Sequence, residues 1–192
     1  NKMDDNIVSL AKRLGCKFFR GSENDVLDRY YHAACFYNAD CIVRINSDCP
    51  LIDPVVVSEV INVFESKNND YDYVSNILEK GYPIGFHTEV FSKQALSKAF
   101  LQSSDPAERE HVTPYIYRNP SIFKLKSIIP KIDMSDYRLT LDYSSDFEVI
   151  SNVIQNLYPI NPKFRIKEIL NYLNKNPDIT KINSHISKKQ TI

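Results

Sequence analysis

Apolar residues recur at Ile7, Val8, Leu10, Ala11 and Leu14. This i, i+3, i+4, i+7 spacing predicts an amphipathic helix over residues 4–14, stopped by Gly15 as a C′ glycine. Cys16 to Phe19 reads as a short strand and Gly21-Ser22 as a turn. Ser22-Glu23-Asn24-Asp25 resembles a capping box, opening a helix to about Tyr37 with Val26, Leu27, Tyr30, Ala33 and Ala34 on its apolar face. The compact run Cys41 to Ile45 suits a buried parallel strand. Asp53-Pro54, with Asp as cap and Pro at N1, starts a helix to about Glu65. Tyr71 to Ser75 and His87 to Phe91 read as strands. Asp105-Pro106-Ala107-Glu108 opens a helix to about Arg118, and Ile122 to Ile128 and Tyr137 to Leu141 read as strands. Ser145-Asp-Phe-Glu148 caps a helix to Leu157, and Ile166 to Leu173 forms a last amphipathic one. Strands alternating with helices predict an α/β layered fold with a mainly parallel sheet. No repeat or long linker interrupts it, so residues 1–186 read as a single domain and 187–192 as a flexible tail. Such sheets bind ligands beyond the carboxyl ends of their strands.

Composition narrows the chemistry. The 192 residues hold 24 Lys+Arg against 24 Asp+Glu. That balance argues against a nucleic-acid partner, which calls for a basic excess. No apolar run approaches the roughly 18 residues of a membrane span, and no signal peptide opens the chain. The four cysteines, Cys16, Cys35, Cys41 and Cys49, lack C-x-x-C spacing and read as reduced thiols of a cytoplasmic protein. There is no P-loop, no G-x-G-x-x-G and no G-x-S-x-G.

Five segments could carry chemistry. Asp48 follows the strand 41–45, where a carboxylate either holds a hard cation such as Mg²⁺ or caps the turn before Asp53. Asp142 repeats the arrangement after Arg138-Leu-Thr-Leu, and there Ser144 or Ser145 could cap the helix without it. Two strand-end aspartates can share one ion if their strands lie close. Arg109-Glu110-His111 forms no triad by helical spacing and reads as a solvated face with an ordinary histidine. Glu89 faces either the strand-end cleft, where it could bind sugar hydroxyls, or a basic partner on the solvent side. Gly21-Ser22 feeding a helix through Asp25 and Arg29 is a candidate anion- or base-binding corner.

The series Gly21-Ser-Glu-x-Asp-Val-Leu-Asp-Arg-Tyr30, Asp48-Cys-Pro-Leu-Ile-Asp53, Tyr71-Asp-Tyr-Val-Ser-Asn76, Glu89-Val-Phe-Ser92, Glu108-Arg-Glu-His-Val-Thr-Pro-Tyr-Ile116 and Arg138-Leu-Thr-Leu-Asp142 resembles the acylneuraminate-type cytidylyltransferases, in particular their spore-coat polysaccharide branch. The resemblance implies a three-layer α/β/α, nucleotide-diphospho-sugar transferase-like (Rossmann-like) fold. It implies a homodimeric enzyme joining CTP to an acidic, sialic-acid-like sugar, giving a CMP-sugar and pyrophosphate for surface polysaccharide or glycan synthesis. Asp48 and Asp142 match the catalytic, metal-binding aspartates for Mg²⁺. Gly21, Ser22, Asp25 and Arg29 match a nucleotide-binding segment, and Glu89, Arg109, Glu110 and His111 the sugar side.

Two departures stand out. Tyr82-Pro-Ile-Gly-Phe-His87 replaces a common Pro-Asp-Gly-Leu-Asp, so Ile84 and His87 stand where relatives carry carboxylates. The basic, Gly-containing triphosphate loop that opens family members is not present, so the chain is expected to be an N-terminally truncated domain. It would lack about 50 to 60 residues, judged from βαβ unit sizes, and be weak or inactive alone. Only 4 glycines in the chain fit this expectation. Two alternatives stay open: a non-catalytic sugar-binding or scaffold homologue, and a metal-dependent glycosyltransferase.

Overall fold

The computed structural model describes residues 2–66 and 70–186; the tail reading over 187–192 lies outside them. A four-stranded sheet runs β1 (Cys41–Arg44), β3 (Glu89–Ser92), β2 (Tyr73–Ser75), β4 (Leu125–Ser127) in spatial order. β2 and β4 pair in parallel through Tyr73 with Leu125, Val74 with Lys126 and Ser75 with Ser127. By its contacts the chain divides into two compact units, Asn1–Ile42 with Phe91–Lys124, and Val43–Val90 with Leu125–Ile192.

In the first unit, α1 (Asp5–Arg13) ends as its sequence predicts. Gly15 adopts φ +68°, and the N–H groups of Gly15 and Cys16 bond the carbonyls of Lys12 and Ala11, a Schellman closure. The apolar face does not find a core: no residue of α1 is buried, and Ile7 and Leu14 are 67% and 65% exposed. Residues 16–19 join no strand; Tyr37 Oη instead donates to the Phe18 carbonyl. α2 (Val26–Phe36) is capped by Asp25 rather than Ser22, with the Asp25 carboxylate accepting from the Asp28 N–H at 2.9 Å. Ser22 Oγ supports the turn by accepting from the Asp25 N–H. α4 (Lys93–Gln102), which the sequence pattern did not reveal, packs on α2, with the Tyr31 and Phe100 rings stacked 4.1 Å apart. The helix expected over 105–118 is two pieces, α5 (Pro106–His111) and α6 (Pro114–Tyr117). Pro114 has no N–H to continue the ladder and restricts Thr113. Between them Val112, fully buried, is forced to φ +74°, ψ −55°, and the Thr113 N–H bonds the His111 carbonyl at 2.9 Å. That is a γ-turn of the rare positive-φ form.

In the second unit, α3 (Pro54–Phe64) and α8 (Ile166–Lys175) share one buried carboxylate. Asp53 Oδ1 accepts from the Val55 N–H at 2.8 Å, and Oδ2 from the Ile166 N–H at 3.0 Å. The core gathers Val56, Val60, Tyr73, Leu139, Val153 and Leu173. The strand expected over 137–141 reduces to a single parallel bridge of Ile84 with Arg138. Gly85, at φ +106°, makes that approach possible, since a Cβ there would lie 2.3 Å from the Leu139 carbonyl oxygen. α7 (Ser144–Leu157) starts one residue before the predicted Ser145, with Tyr143 as N-cap and Asp146 at N3. A short α9 (Pro177–Lys181) follows α8 and packs on α7 and α8. No helix among the described residues is long and apolar enough to cross a membrane.

Candidate active site

The second unit draws Asp48 and Asp142 together. The Leu141 N–H donates to the Asp48 carbonyl at 2.8 Å, and Thr140 Oγ1 donates to the same oxygen at 3.2 Å. The two loops are thus clamped one residue before Asp142. Cys49 sits between the carboxylates. Burial pushes its thiol up to about 12, and the neighbouring Asp48 and Asp142 charges push in the same direction. The protonated thiol donates to Asp48 Oδ1 at 3.3 Å. Asp142 does not cap α7; its Oδ2 accepts from Arg138 Nη2 at 2.6 Å, and its side chain stays 45% exposed.

Two buried ion pairs flank these aspartates. Glu89, 2% exposed, takes the Arg44 guanidinium on Oε1 and Tyr73 Oη, 2.7 Å away, on Oε2. Of the two expectations for Glu89, pairing with a basic residue is the one the geometry shows, and its partner Arg44 is half-buried rather than on the solvent side. Asp146, fully buried, grips Arg138 Nε and Nη2, both at 2.9 Å. A buried charge must be paired, and both pairs obey this. Two guanidiniums against the four carboxylates Asp48, Glu89, Asp142 and Asp146 leave a formal charge of −2. His87 adds nothing to that sum. Burial pushes its pKa below the ordinary histidine value, outweighing the Glu89 and Asp48 charges that pull it up, with Arg44 also lowering it. The imidazole is therefore neutral near pH 7.

The donor set suits a small divalent cation. Carboxylate oxygens are the hard ligands Mg²⁺ takes, and it keeps waters and substrate phosphates for its other positions. Among the described residues no cluster of three or more His, Cys, Asp or Glu is arranged to hold a metal.

In the first unit, Gly21 and Arg29 line a cleft of about 300 Å³ with Phe18, Phe19, Arg20 and Glu23. Arg29 Nη1 donates to the Ser22 carbonyl at 3.2 Å, and a Cβ at position 21 would press on the Arg29 side chain at 3.1 Å. Arg109 is no solvated helix residue. Its Nε and Nη2 reach Asp25 Oδ2 at 2.8 and 2.6 Å, its Nη1 reaches the Phe100 carbonyl at 2.9 Å, and it lies over the Phe100 ring. Burial acts to raise the Asp25 pKa, but the Arg109 and Asp28 hydrogen bonds prevail and hold it below the usual carboxylate range. Arg109 and Asp25 thus lock α5 to the start of α2. Glu110 is exposed and His111 half-buried beside the Val112 turn.

Arg44, Tyr73, Asp146 and Asn183 are site-forming residues that the sequence reading missed. A charged residue inside an apolar run, as in Cys-Ile-Val-Arg-Ile, is a signal for Arg44, since such a charge needs a buried partner. Nothing local marks Asn183.

Sequence and fold are similar to those of known proteins. The family model described as Cytidylyltransferase matches residues 1–169. An uncharacterized protein of Methanocaldococcus jannaschii is 40% identical over 190 residues, covering 98% of this chain and 75% of that protein. The spore coat polysaccharide biosynthesis protein SpsF of Bacillus subtilis is 29% identical over 178 residues, 91% of this chain and 72% of its own. The solved structure of a cytidylyltransferase from Leptospira borgpetersenii superposes with a TM-score of 0.88 at 33% identity, over 100% of this chain and 77% of that one. The α/β fold with its mostly parallel sheet is therefore the Rossmann-like fold of these enzymes. On sequence and fold together, the chain belongs to the cytidylyltransferase family.

Proposed function

We propose that the protein is a Mg²⁺-dependent nucleotidyltransferase that joins CTP to an acidic, sialic-acid-like sugar, releasing pyrophosphate and a CMP-sugar for surface polysaccharide synthesis. The observation that carries this reading is the Asp48–Asp142 pair, clamped by main-chain and Thr140 hydrogen bonds and left with an unbalanced charge of −2 by its flanking ion pairs. An ion held by Asp48 and Asp142 would supply neutralisation of triphosphate charge. The remaining work belongs to the chain's own groups. The cleft lined by Gly21 and Arg29 takes the nucleotide, with the Ser22 carbonyl holding the Arg29 guanidinium and Arg109 holding Asp25 at the start of α2. On the family resemblance Glu110 and His111 serve the sugar, as does Glu89, which holds Arg44. The sugar hydroxyl attacks the α-phosphorus in line, forming the new P–O bond as the bond to pyrophosphate breaks. Catalysis is mostly positioning and charge stabilisation. Dimerisation belongs to the same proposal, on the family resemblance.

Pyrophosphate release by the full-length gene product, with CTP, Mg²⁺ and a panel of acidic nonulosonates, tests this. Turnover is expected with one of them. Asp48→Ala and Asp142→Ala should each lower it by about 100-fold or more while leaving the fold intact. No turnover with any acidic sugar overturns the substrate reading; activity retained in either variant removes that residue from the metal site.

A further inference from the structure

The Asp146 carboxylate accepts five hydrogen bonds. Its Oδ1 accepts from Arg138 Nε at 2.9 Å and Asn183 Nδ2 at 2.8 Å. Its Oδ2 accepts from Arg138 Nη2 at 2.9 Å and from the N–H groups of Asp142 and Tyr143, both at 3.1 Å. Asn183 also donates to the Arg138 carbonyl at 3.0 Å, so it holds that arginine at main chain and, through Asp146, at side chain. Asn183 is 3% exposed and lies beyond the residues that the family model matches.

The consequence falls on Asp142. Arg138 spends two guanidinium nitrogens on Asp146 and shares Nη2 with Asp142 Oδ2. One oxygen of Asp142 is thereby fixed, and Oδ1 makes no hydrogen bond among the described residues. Without Asp146, Arg138 would neutralise Asp142 outright. With it, the three groups keep one net negative charge, and Asp142 remains an anionic ligand in a set orientation. We infer that Asn183, Asp146 and Arg138 form a positioning relay that aims Asp142, making the segment after α9 part of the apparatus that holds the divalent cation. The inference rests on the reading of Asp142 as a metal ligand. Groups behind a ligand fix its direction, and their loss costs metal affinity of about 10- to 100-fold.

Binding of Mn²⁺ alone, followed by the loss of its free-ion resonance, tests the relay in the full-length protein. Asn183→Ala should weaken Mn²⁺ binding about tenfold and raise the Mg²⁺ needed for half-maximal pyrophosphate release. KM for CTP at saturating Mg²⁺ should stay within about twofold of wild type. Arg138→Lys keeps the charge but loses the planar fork, and should shift Mn²⁺ binding in the same direction. Either variant alone suffices if the other fails to fold. A residue with a purely structural role would lower the melting temperature and leave the affinity of the folded fraction unchanged; that result overturns the relay. Asp142→Asn is the control. If it binds Mn²⁺ as wild type does, the metal reading itself fails, whereas loss in Asp142→Asn with none in Asn183→Ala or Arg138→Lys defeats only the relay.

Discussion

Asp48 and Asp142 could be picked from the chain because each follows an apolar run, the position where strand-end carboxylates meet ligands in α/β sheets. The residues bonded beside Asp142 could not. Asp146 reads locally as one acidic residue in the first turn of a helix, yet it is fully buried and receives five hydrogen bonds. Burial acts to raise its pKa, but Arg138, Asn183 and the N–H groups of Asp142 and Tyr143 outweigh this and hold it below the usual aspartate range. A carboxyl depressed in the folded state contributes stability above its unfolded pKa, and that contribution is lost as pH falls through the folded value. The stability gap between wild type and Asp146→Asn should therefore be full at pH 6 and shrink below about pH 4. Urea midpoints at pH 6, 4 and 3 check this; a gap that widens on acidification contradicts it.

At the level of elements, the Asp-Pro caps and the glycine stop were legible, whereas the caps of α2 and α7 and the continuity of helices were not. Asp53 and Asp105 cap as their Asp-Pro pairs predict, and Gly15 ends α1, because these devices depend on a few adjacent residues. The break at Val112 depends on more. Pro114 forbids continuation, but the turn that follows needs a buried β-branched residue at positive φ, which costs about 1–3 kcal/mol and persists only where the surroundings hold it. Arg109, anchored to Asp25 and the Phe100 carbonyl, supplies such a hold three residues earlier. Val112→Ala should lose about 2 kcal/mol, since it gives up buried methyl groups and keeps the strained backbone. Val112→Gly gives up one more carbon but releases the strain, so it should be no less stable than Val112→Ala. Denaturant unfolding of both variants decides; a glycine variant weaker by 1 kcal/mol or more would show that the turn stores no strain.

On the scale of the whole chain, burial sorts chemically identical residues. Cys16 and Cys35 are exposed, Cys41 is half-buried and Cys49 is buried with a thiol pushed up to about 12. A thiolate-selective reagent should modify Cys16 and Cys35 first and reach Cys49 only on unfolding, and peptide mapping over time reads the order. Labelling of Cys49 as fast as Cys16 would contradict the burial described. The equal counts of acidic and basic residues say nothing of this sorting, nor of the local charge of −2 around the aspartates. By itself the sequence determined the mixed α/β class, the Asp-Pro helix starts and the family motifs, because each is written in neighbouring residues. Tertiary structure alone decided that Glu89 is spent on Arg44, that Arg109 braces Asp25, that one Asp53 serves two helices and that Asn183 holds Asp146. Those are pairings across 37 to 113 residues, fixed by which charges and amides the core buries together rather than by any local spacing.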